Sequence, residues 1–540
     1  MRTEKTTETR ERPGMYALNG MRCSETPLAT QNTDDAMPRT LVQRALLIAC
    51  ATLIAVAPTA AQEPTATLLR GATIVDGTGQ AGFVGDVLIQ GPTIVAVGPA
   101  GSIDVPPDAA TEDLTGLVLA PGFIDIHNHS TDRIAGDPTA RTQIAQGVTT
   151  IIVGADGSSP WPVGEYLDEI DRIGVSLQVG VTVGHGTVRR AALGDDYARA
   201  ATTSEMSDMR GRVERGMRDG AFGLSSGLEY DPGFYSTTEE LIELARVAGT
   251  HGGFYMSHMR DEEEGVLDAV AEAIRIGEEG DLPVQISHVK AGNASVWGKS
   301  VDILALIDEA RSRGVDVLAD QYPYTAWQSG LAIVVRSRKF QDPNEVRAGL
   351  EAIGGANRLQ IVGYEPDPSV NGMRLNEAAA QWGMSDVDAY MDMMAKGGSG
   401  VIGHTMSEDD VDRFMASEWV MTASDGGVGS AHPRGAGAFA RVLGHYVRER
   451  GLISLERAIQ RGTSMPAARL GLEDRGIVAP GKRADLVAFD PITIHARSTF
   501  RYSLRQAEGV RRTWVAGQVV WRDGSPTDAR PGGGLRRPGS

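Results

Sequence analysis

GFIDIHNHS, residues 122–130, ends an apolar run with two histidines one residue apart. Successive side chains on a β-strand point to opposite faces, so His127 and His129 leave the backbone on the same face. Two imidazoles side by side can hold a metal ion, although an isolated pair of this kind is often two surface side chains at the end of a strand. The remainder of the chain decides between these interpretations.

The central part of the chain, residues 119–471, alternates apolar strand-like runs with stretches such as GVLDAVAEAIRIGEEG that have apolar residues at helical spacing. About eight such β/α units predict an α/β fold, a TIM-type (β/α)8 barrel. The connection at about 321–419 is longer than the others. We therefore expect it to carry its own helices and to lie over the mouth of the barrel.

The two flanking regions of the barrel have a different pattern. Residues 62–118 and 472–525 contain short alternating apolar runs separated by turn residues. Because β segments at opposite ends of a chain can pair, they predict one small β-sandwich domain. The tail at 526–540 is rich in glycine, proline and arginine, which predicts disorder.

The N-terminal region has the pattern of an exported protein. Residues 1–36 are polar, and we interpret them as an untranslated or disordered leader. Residues 37–61 join a basic segment, a short apolar core and a small-residue ending, which predicts a signal peptide and a periplasmic or secreted protein without a stable membrane span after its removal. Cys50 stands in a lipoprotein-like box, but apolar residues continue past it, so lipid anchoring is the less favoured alternative.

The overall composition limits the possible partners. A formal net charge of -18 argues against nucleic acid as a partner, because the sequence has no basic stripe. A hydrophobic fraction of 41% over 540 residues is enough for a large core. The expected partner is a small molecule, and the composition indicates no particular oligomeric state.

Polar residues suited to a metal site follow several of the predicted strands. Barrel enzymes carry their chemistry at the C-terminal ends of the strands. One such residue has an ordinary explanation, as a buried histidine or a capping aspartate, whereas six in register indicate a site. Imidazole and carboxylate ligands suit zinc and similar divalent ions, which make water reactive at neutral pH and polarise a carbonyl. The six candidate ligands are His127, His129, Asp156, His258, His288 and Asp425.

Several longer motifs resemble those of one family. They are APGFIDIHNH (120–129), GLSSGLEYDPG (223–233), SHVK (287–290), DQYPY (320–324) and PGKRADLVAFD (480–490). Together they resemble the amidohydrolase superfamily and, within it, the N-acyl-D-amino-acid deacylases, also called D-aminoacylases. The resemblance extends over about Ala66 to Arg522. It implies the same barrel and a small β-sandwich beside it.

The resemblance also implies roles for individual residues. One or two divalent ions, zinc first among them, would be held by the four histidines and Asp425, and Asp425 would take a proton from water and pass it to the leaving amine. Typical family members have a cysteine ligand in a Gly-Asn-Cys-Gly stretch. This chain has Gly-Ala-Asp-Gly instead, so Asp156 stands at the ligand position.

Four further residues are candidates for binding the substrate. Lys290 and Arg434 are expected to meet a substrate carboxylate through charge-assisted hydrogen bonds, with Tyr230 and Tyr324 beside them. Solvated surface charge is the alternative for the two cations. His432 is either a substrate contact or a hydrogen-bonding group of its loop.

These features predict an exported metal-dependent hydrolase that cleaves the amide bond of N-acyl-D-amino acids, or similar amides in peptides with D-residues, by attack of metal-bound hydroxide. The first alternative is a cyclic-amide hydrolase of the dihydroorotase or hydantoinase type. That class usually carries a carboxylated lysine on the fourth strand, and AFGLSSG contains none. The second alternative is a binding protein that has lost the chemistry, against which the complete ligand set argues.

Overall fold

The computed structural model describes residues 66–540, and these form one compact unit. The predicted leader (1–36), the signal peptide (37–61) and Cys50 lie outside the described residues. The strands are β1 Thr67–Ile74, β2 Phe83–Gln90, β3 Thr93–Pro99, β4 Ala110–Asp113, β5 Val118–Pro121, β6 Phe123–Asp125, β7 Val148–Val153, β8 Gln178–Val181, β9 Val183–Gly184, β10 Gly223–Gly227, β11 Phe254–His258, β12 Val284–Ile286, β13 Val317–Gln321, β14 Trp327–Gly330, β15 Leu359–Val362, β16 Gly400–Gly403, β17 Val420–Thr422, β18 Leu486–Phe489, β19 Val510–Val515, β20 Gln518–Arg522 and β21 Ser525–Pro526.

The helices lie mainly between the strands of the central region. They are α1 Arg141–Ile144, α2 Val163–Ile173, α3 His185–Leu193, α4 Thr203–Arg218, α5 Thr238–Thr250, α6 Val266–Gly280, α7 Ser300–Ser312, α8 Pro343–Ala352, α9 Leu375–Trp382, α10 Asp386–Ala395, α11 Glu408–Ala416, α12 Arg434–Arg441, α13 Leu455–Gly462 and α14 Ser464–Arg469. A π-helical segment, Val442–Glu449, continues α12. Among residues 66–540, no helix combines the length and the apolar composition that crossing a bilayer requires.

Two parallel sheets form the centre of the protein. One contains β6, β7 and β8, and the other contains β9, β10, β11, β12, β13 and β17 in that order. Backbone hydrogen bonds also connect the ends of β6 and β17, where Asp425 N donates to His127 O at 2.9 Å. The predicted α/β fold is confirmed, with parallel strands in chain order and helices between them.

The sequence explains why these elements form where they do. Every residue of β7, VTTIIV, is buried, as expected for a parallel strand whose two faces are both covered. Helix α4 begins with a capping box in which Thr202 and Glu205 satisfy each other's backbone N–H groups. Its buried residues Met209, Val213 and Met217 recur at intervals of four and lie on one face.

Both ends of the described chain contribute to a third, nine-stranded sheet. It joins β1 to β5 with β18 to β21, and the two sets meet where β5 pairs antiparallel with β18. Leu69 and Val87 from the first set pack with Leu486 and Trp514 from the second in one buried cluster. The ends therefore pair as the sequence predicts, in one hydrogen-bonded sheet, and its division into two sandwich layers stays a prediction.

The long connection between β13 and β17 contains the antiparallel sheet β14-β16-β15 and helices α8 to α11. Trp327, the first residue of β14, anchors this sheet to the central region. Its indole nitrogen donates to Gly292 O at 3.2 Å and to Thr405 Oγ1 at 2.8 Å. The insertion is thereby fixed close to the ends of the central strands.

The C-terminal tail differs from the sequence prediction. Residues 526–540 were expected to be disordered, but they pack along β8: Val179 N donates to Gly533 O at 2.9 Å, and Leu535 N donates to Val179 O at 2.8 Å. A Cβ on Gly532 would lie 2.0 Å from Leu177 O, so this close approach requires glycine. The glycines that suggested flexibility instead permit backbone contact.

Candidate metal centre

The C-terminal ends of the central strands bring all six candidate ligands together. His127 follows β6, Asp156 follows β7, His258 ends β11, His288 follows β12 and Asp425 follows β17. Two groups have ligand atoms that all lie within 4.8 Å of one another, and they share His288. The groups are His127, Asp156, His288 and Asp425, and His258, Glu262 and His288.

The first pair of histidines faces two carboxylates. The Nε2 atoms of His127 and His129 are 3.3 Å apart. Asp425 Oδ1 lies 3.4 Å from His127 Nε2 and 3.1 Å from His129 Nε2. Asp156 Oδ1 lies 3.4 Å from His127 Nε2, and its Oδ2 lies 3.3 Å from His129 Nε2. Two imidazoles and two carboxylates thus point to one position.

Asp156 also faces the second pair of histidines. His258 Nδ1 and His288 Nε2 are 2.9 Å apart. Asp156 Oδ1 lies 3.6 Å from His288 Nε2, and its Oδ2 lies 3.9 Å from His258 Nδ1. Asp156 Oδ1 is buried and makes no hydrogen bond. A buried carboxylate oxygen without a donor, set between two pairs of imidazole nitrogens, fits a divalent cation on either side of it.

Three of these residues have unusual backbone conformations. Asp156, His288 and Asp425 have positive φ values of 54°, 35° and 47°. Such conformations cost about 1–3 kcal/mol each for residues other than glycine, and they concentrate at functional sites. The loop that carries Asp156 lies directly against β10, because a Cβ on Gly227 would be 2.2 Å from Asp156 O.

Opposite charges determine the ionisation of the site. Burial opposes protonation of His127, but Asp156 and Asp425 outweigh it and hold the pKa of the imidazole well above its usual value. Burial likewise opposes ionisation of Asp425, but Arg434, His288 and His127 hold the pKa of this carboxyl below its usual value. The carboxylates thus stabilise positive charge at the centre, the charge that a divalent cation also carries.

Five of the six candidate ligands line a cavity of about 830 Å³; they are His129, Asp156, His258, His288 and Asp425. This volume is within the range of small-molecule sites. Its walls include Tyr230 and Pro232 from the segment after β10 and Trp327 and Ile333 from the insertion. The insertion therefore forms part of the cavity wall, as expected from its length.

The chain matches a known family over most of its length. A sequence profile of the amidohydrolase family matches residues 110–521. The chain belongs to the amidohydrolase family. D-aminoacylase from Alcaligenes xylosoxydans xylosoxydans is 36% identical over 492 residues, which cover 86% of this chain and 96% of that protein.

Two solved structures resemble this amidohydrolase. N-acyl-D-glutamate deacylase from Bordetella bronchiseptica, complexed with zinc and a phosphonate that mimics the tetrahedral intermediate, has a TM-score of 0.79 and 33% identity, covering 87% of this chain and 99% of that one. A D-aminoacylase with a binuclear metal centre has a TM-score of 0.78 and 35% identity, with the same coverage. The functional role of the metal centre in that D-aminoacylase is one-metal activation and second-metal attenuation.

The cyclic-amide alternative has weaker support. D-hydantoinase shares the fold, with a TM-score of 0.55 and 17% identity. A dihydroorotase from Lactobacillus leichmannii is 25% identical over 432 residues. Strand β10 of this amidohydrolase reads GLSSG and offers no lysine to bridge two metals.

The two predicted substrate cations line the cavity but already have ionic partners. Lys290 Nζ donates to Glu262 Oε2 at 2.6 Å and lies 2.7 Å from His288 Nδ1. Arg434 Nη1 lies 2.6 Å from Asp425 Oδ2. Both side chains are buried, so the surface-charge alternative is wrong for both. Their role toward a substrate carboxylate stays a prediction.

The two predicted tyrosines have different surroundings. Tyr230 lines the cavity, with its ring 4.4 Å from that of His258. Tyr324 does not line the cavity, and its hydroxyl donates to Pro433 O at 3.5 Å. Its ring packs edge-on against that of His432, with 5.4 Å between the ring centroids. The structure thus contradicts a direct substrate contact for Tyr324 in this arrangement.

His432 is a loop hydrogen-bonding group in this amidohydrolase. Its Nε2 donates to Ala326 O at 2.9 Å, and its Nδ1 accepts from Arg434 N at 3.1 Å. Burial, reinforced by the Arg434 charge, holds its pKa well below the usual value. A neutral His432 therefore joins the insertion to the start of α12, the helix that carries Arg434.

Sequence reasoning missed four buried carboxylates around the site. Asp125 accepts hydrogen bonds from Ser424 N at 2.8 Å and Asn128 Nδ2 at 2.8 Å, which ties the end of β6 to the segment carrying Asp425. The other three, Glu229, Glu262 and Asp320, contact the histidines. Asp125 and Asp320 lie within the motifs FIDIH and DQYPY, so their position at strand ends was the available signal.

Proposed function

We propose that this amidohydrolase is an N-acyl-D-amino-acid deacylase that hydrolyses the amide bond of an acylated D-amino acid or of a short peptide with a D-residue. One arrangement carries the proposal: Asp156 lies between two pairs of histidines, and Asp425 and Arg434 lie in the same cavity. The similarity to D-aminoacylase and to N-acyl-D-glutamate deacylase supports this substrate class. We also infer that the two parallel sheets form a (β/α)8 barrel and that the nine-stranded sheet forms the small β-sandwich.

The proposed metal ligands are the four histidines, Asp156 and Asp425. Zinc is the first candidate, because imidazole and carboxylate donors suit it, and the two histidine pairs provide positions for one or two ions. When bound, such an ion polarises the substrate carbonyl and makes water acidic enough to react at neutral pH.

The protein's own groups would manage the proton and the substrate. Asp425 Oδ1 faces the first histidine pair and is placed to take a proton from the attacking water and then to protonate the leaving amine. Arg434 is held on the opposite oxygen of Asp425, and Lys290 stands beside His288. A substrate carboxylate that reaches these cations would lie next to the reacting amide and fix its orientation.

A substrate panel tests the proposal. We expect the purified, metal-loaded protein to hydrolyse N-acetyl-D-amino acids, to hydrolyse their L-enantiomers far more slowly, and to leave hydantoin and dihydroorotate intact. Released amino acid is measured by chromatography, with heat-inactivated protein as the blank. Hydrolysis of the cyclic substrates alone would support the alternative class, and tight metal binding without turnover of any substrate would indicate a binding protein.

We further propose that the protein is exported and processed. Residues 37–61 have the pattern of a signal peptide with a small-residue ending, so the mature chain should begin near Gln62. The expected result is an N-terminal peptide near this position, identified by mass spectrometry in the periplasmic or secreted fraction. Recovery of peptides from residues before Met37 in the cellular protein would contradict this start.

A further inference from the structure

Three of the histidines at the metal centre have a buried carboxylate next to the outer ring nitrogen, the one that faces away from the centre. His258 Nε2 donates to Glu229 Oε2 at 3.0 Å. His288 Nδ1 lies 3.0 Å from Glu262 Oε1, and His127 Nδ1 lies 3.3 Å from Asp320 Oδ1. The opposite nitrogen of each ring is the one directed at Asp156.

The three carboxylates are themselves fixed by other groups. Glu229 Oε1 lies 3.3 Å from Arg336 Nη1, and Glu262 Oε2 accepts from Lys290 Nζ at 2.6 Å. Asp320 accepts from Gln285 Nε2 at 2.9 Å and from the backbone N–H of His288 at 2.8 Å. Each carboxylate therefore contacts an imidazole and is also held in place by another polar group of the protein.

We propose that Glu229, Glu262 and Asp320 are positioning residues that orient the three histidines toward the metal position. This inference rests on the metal centre of the proposed function. Glu229 accepts a hydrogen bond from His258 Nε2 and keeps the hydrogen there, so the Nδ1 that faces Asp156 presents its lone pair. Glu262 and Asp320 contact the outer nitrogens of His288 and His127 at 3.0 and 3.3 Å and restrict the rotation of these rings.

Glu262 differs from the other two carboxylates because its second partner is a predicted substrate residue that lines the cavity. Its two oxygens contact different groups, His288 and the predicted substrate cation Lys290. The position of Lys290 therefore depends on the same carboxylate that orients His288. Loss of this carboxylate is expected to affect both metal binding and the KM for carboxylate-bearing substrates.

Zinc affinity measures the proposed role without any substrate. The Kd for Zn²⁺ is measured by competition with a coloured chelator for Glu229→Gln, Glu262→Gln and Asp320→Asn, starting from metal-free protein. Each substitution keeps the shape of the side chain and removes its charge. We expect each Kd to rise about 10- to 100-fold. The visible absorption of the Co²⁺-loaded protein should change in parallel, because it reports on ligand geometry.

A matched control is available outside the cavity. Glu240 is a buried carboxylate that contacts His185 Nε2 at 2.8 Å and also pairs with Arg189. Glu240→Gln removes the same kind of contact from a histidine that does not face the centre, so its Kd for Zn²⁺ should stay unchanged. Melting temperatures of the metal-free variants show which of them are folded.

The outcomes are distinguishable. Unchanged Zn²⁺ affinity in folded Glu229→Gln and Asp320→Asn would overturn the proposal, as would an equal loss in Glu240→Gln. If one of the three variants does not fold, the remaining two decide. Because zinc binding is measured alone, the inference can hold even if the protein hydrolyses a different amide from the one proposed.

Discussion

Asp425→Asn is expected to lower kcat about 10²- to 10⁴-fold while the protein remains folded. The amide keeps the shape of the carboxylate but cannot take a proton from water. It also removes the charge that faces His127, His129 and Arg434, so weaker metal binding should add to the loss. Initial rates with N-acetyl-D-amino acids measure the effect, with metal content determined in the same samples.

The matched control for this variant is Asp86→Asn. Asp86 is a buried aspartate of the nine-stranded sheet, and it accepts hydrogen bonds from Gly71 N and Gly101 N. Its replacement should lower the melting temperature and leave the rate of the folded enzyme unchanged. Near-normal turnover by a folded Asp425→Asn protein would rule out Asp425 as the general base.

Substitutions at Asp156 should change which metals the protein accepts. Asp156→Ala removes the carboxylate shared by the two histidine pairs, so we expect it to lose one metal equivalent and most of the activity. Asp156→Cys introduces a soft thiolate, which should retain zinc and abolish activation by manganese or cobalt. Metal content after dialysis and rates with each ion measure both effects.

The alternative role for Asp156 is structural. A left-handed aspartate directly before a glycine, as Asp156 is before Gly157, can simply order a turn. Full metal content and full activity in Asp156→Ala would support that role and would leave the metals to the histidines and Asp425. The carboxylate oxygen that makes no hydrogen bond favours the metal role, because a turn would use it as an acceptor.

The meeting of the six residues could be predicted from the sequence because each of them stands at or just after the end of a predicted strand. Each residue follows or ends an apolar run, and parallel strands in chain order bring their C-terminal ends to one edge. The alternation of apolar strand-like runs with helical segments is therefore enough to predict that these residues meet.

The partners of these residues could not be predicted in the same way. Lys290 pairs with Glu262, which comes from the segment after the preceding strand, and both side chains are buried. Such a contact depends on loop conformation and rotamers, which the apolar pattern does not encode. Tyr324 illustrates the same limit, because the motif DQYPY does not indicate that its tyrosines lie outside the cavity wall.

The prediction of a disordered C-terminal tail was wrong for a different reason. Composition predicts disorder when a segment cannot bury enough apolar surface by itself. Residues 532–535 instead pack on surface that the central parallel strands already offer, with Leu535 packed against the cluster of Phe222 and Phe254. A segment of this kind obtains its partners from the rest of the chain, so its own composition is a poor guide.

The pairing of β5 with β18 has a consequence for the order of folding. Strands β1, β2 and β3 are neighbours in sequence and can pair as soon as they are synthesised. Strand β18, the second partner of β5 beside β1, is synthesised only after the entire central region. Until then β5 has one open edge, which can pair with another chain. Such a non-local contact forms slowly. A protein that crosses a membrane unfolded would therefore need protection of this edge on the far side, and delayed release of the C-terminal strands should increase aggregation.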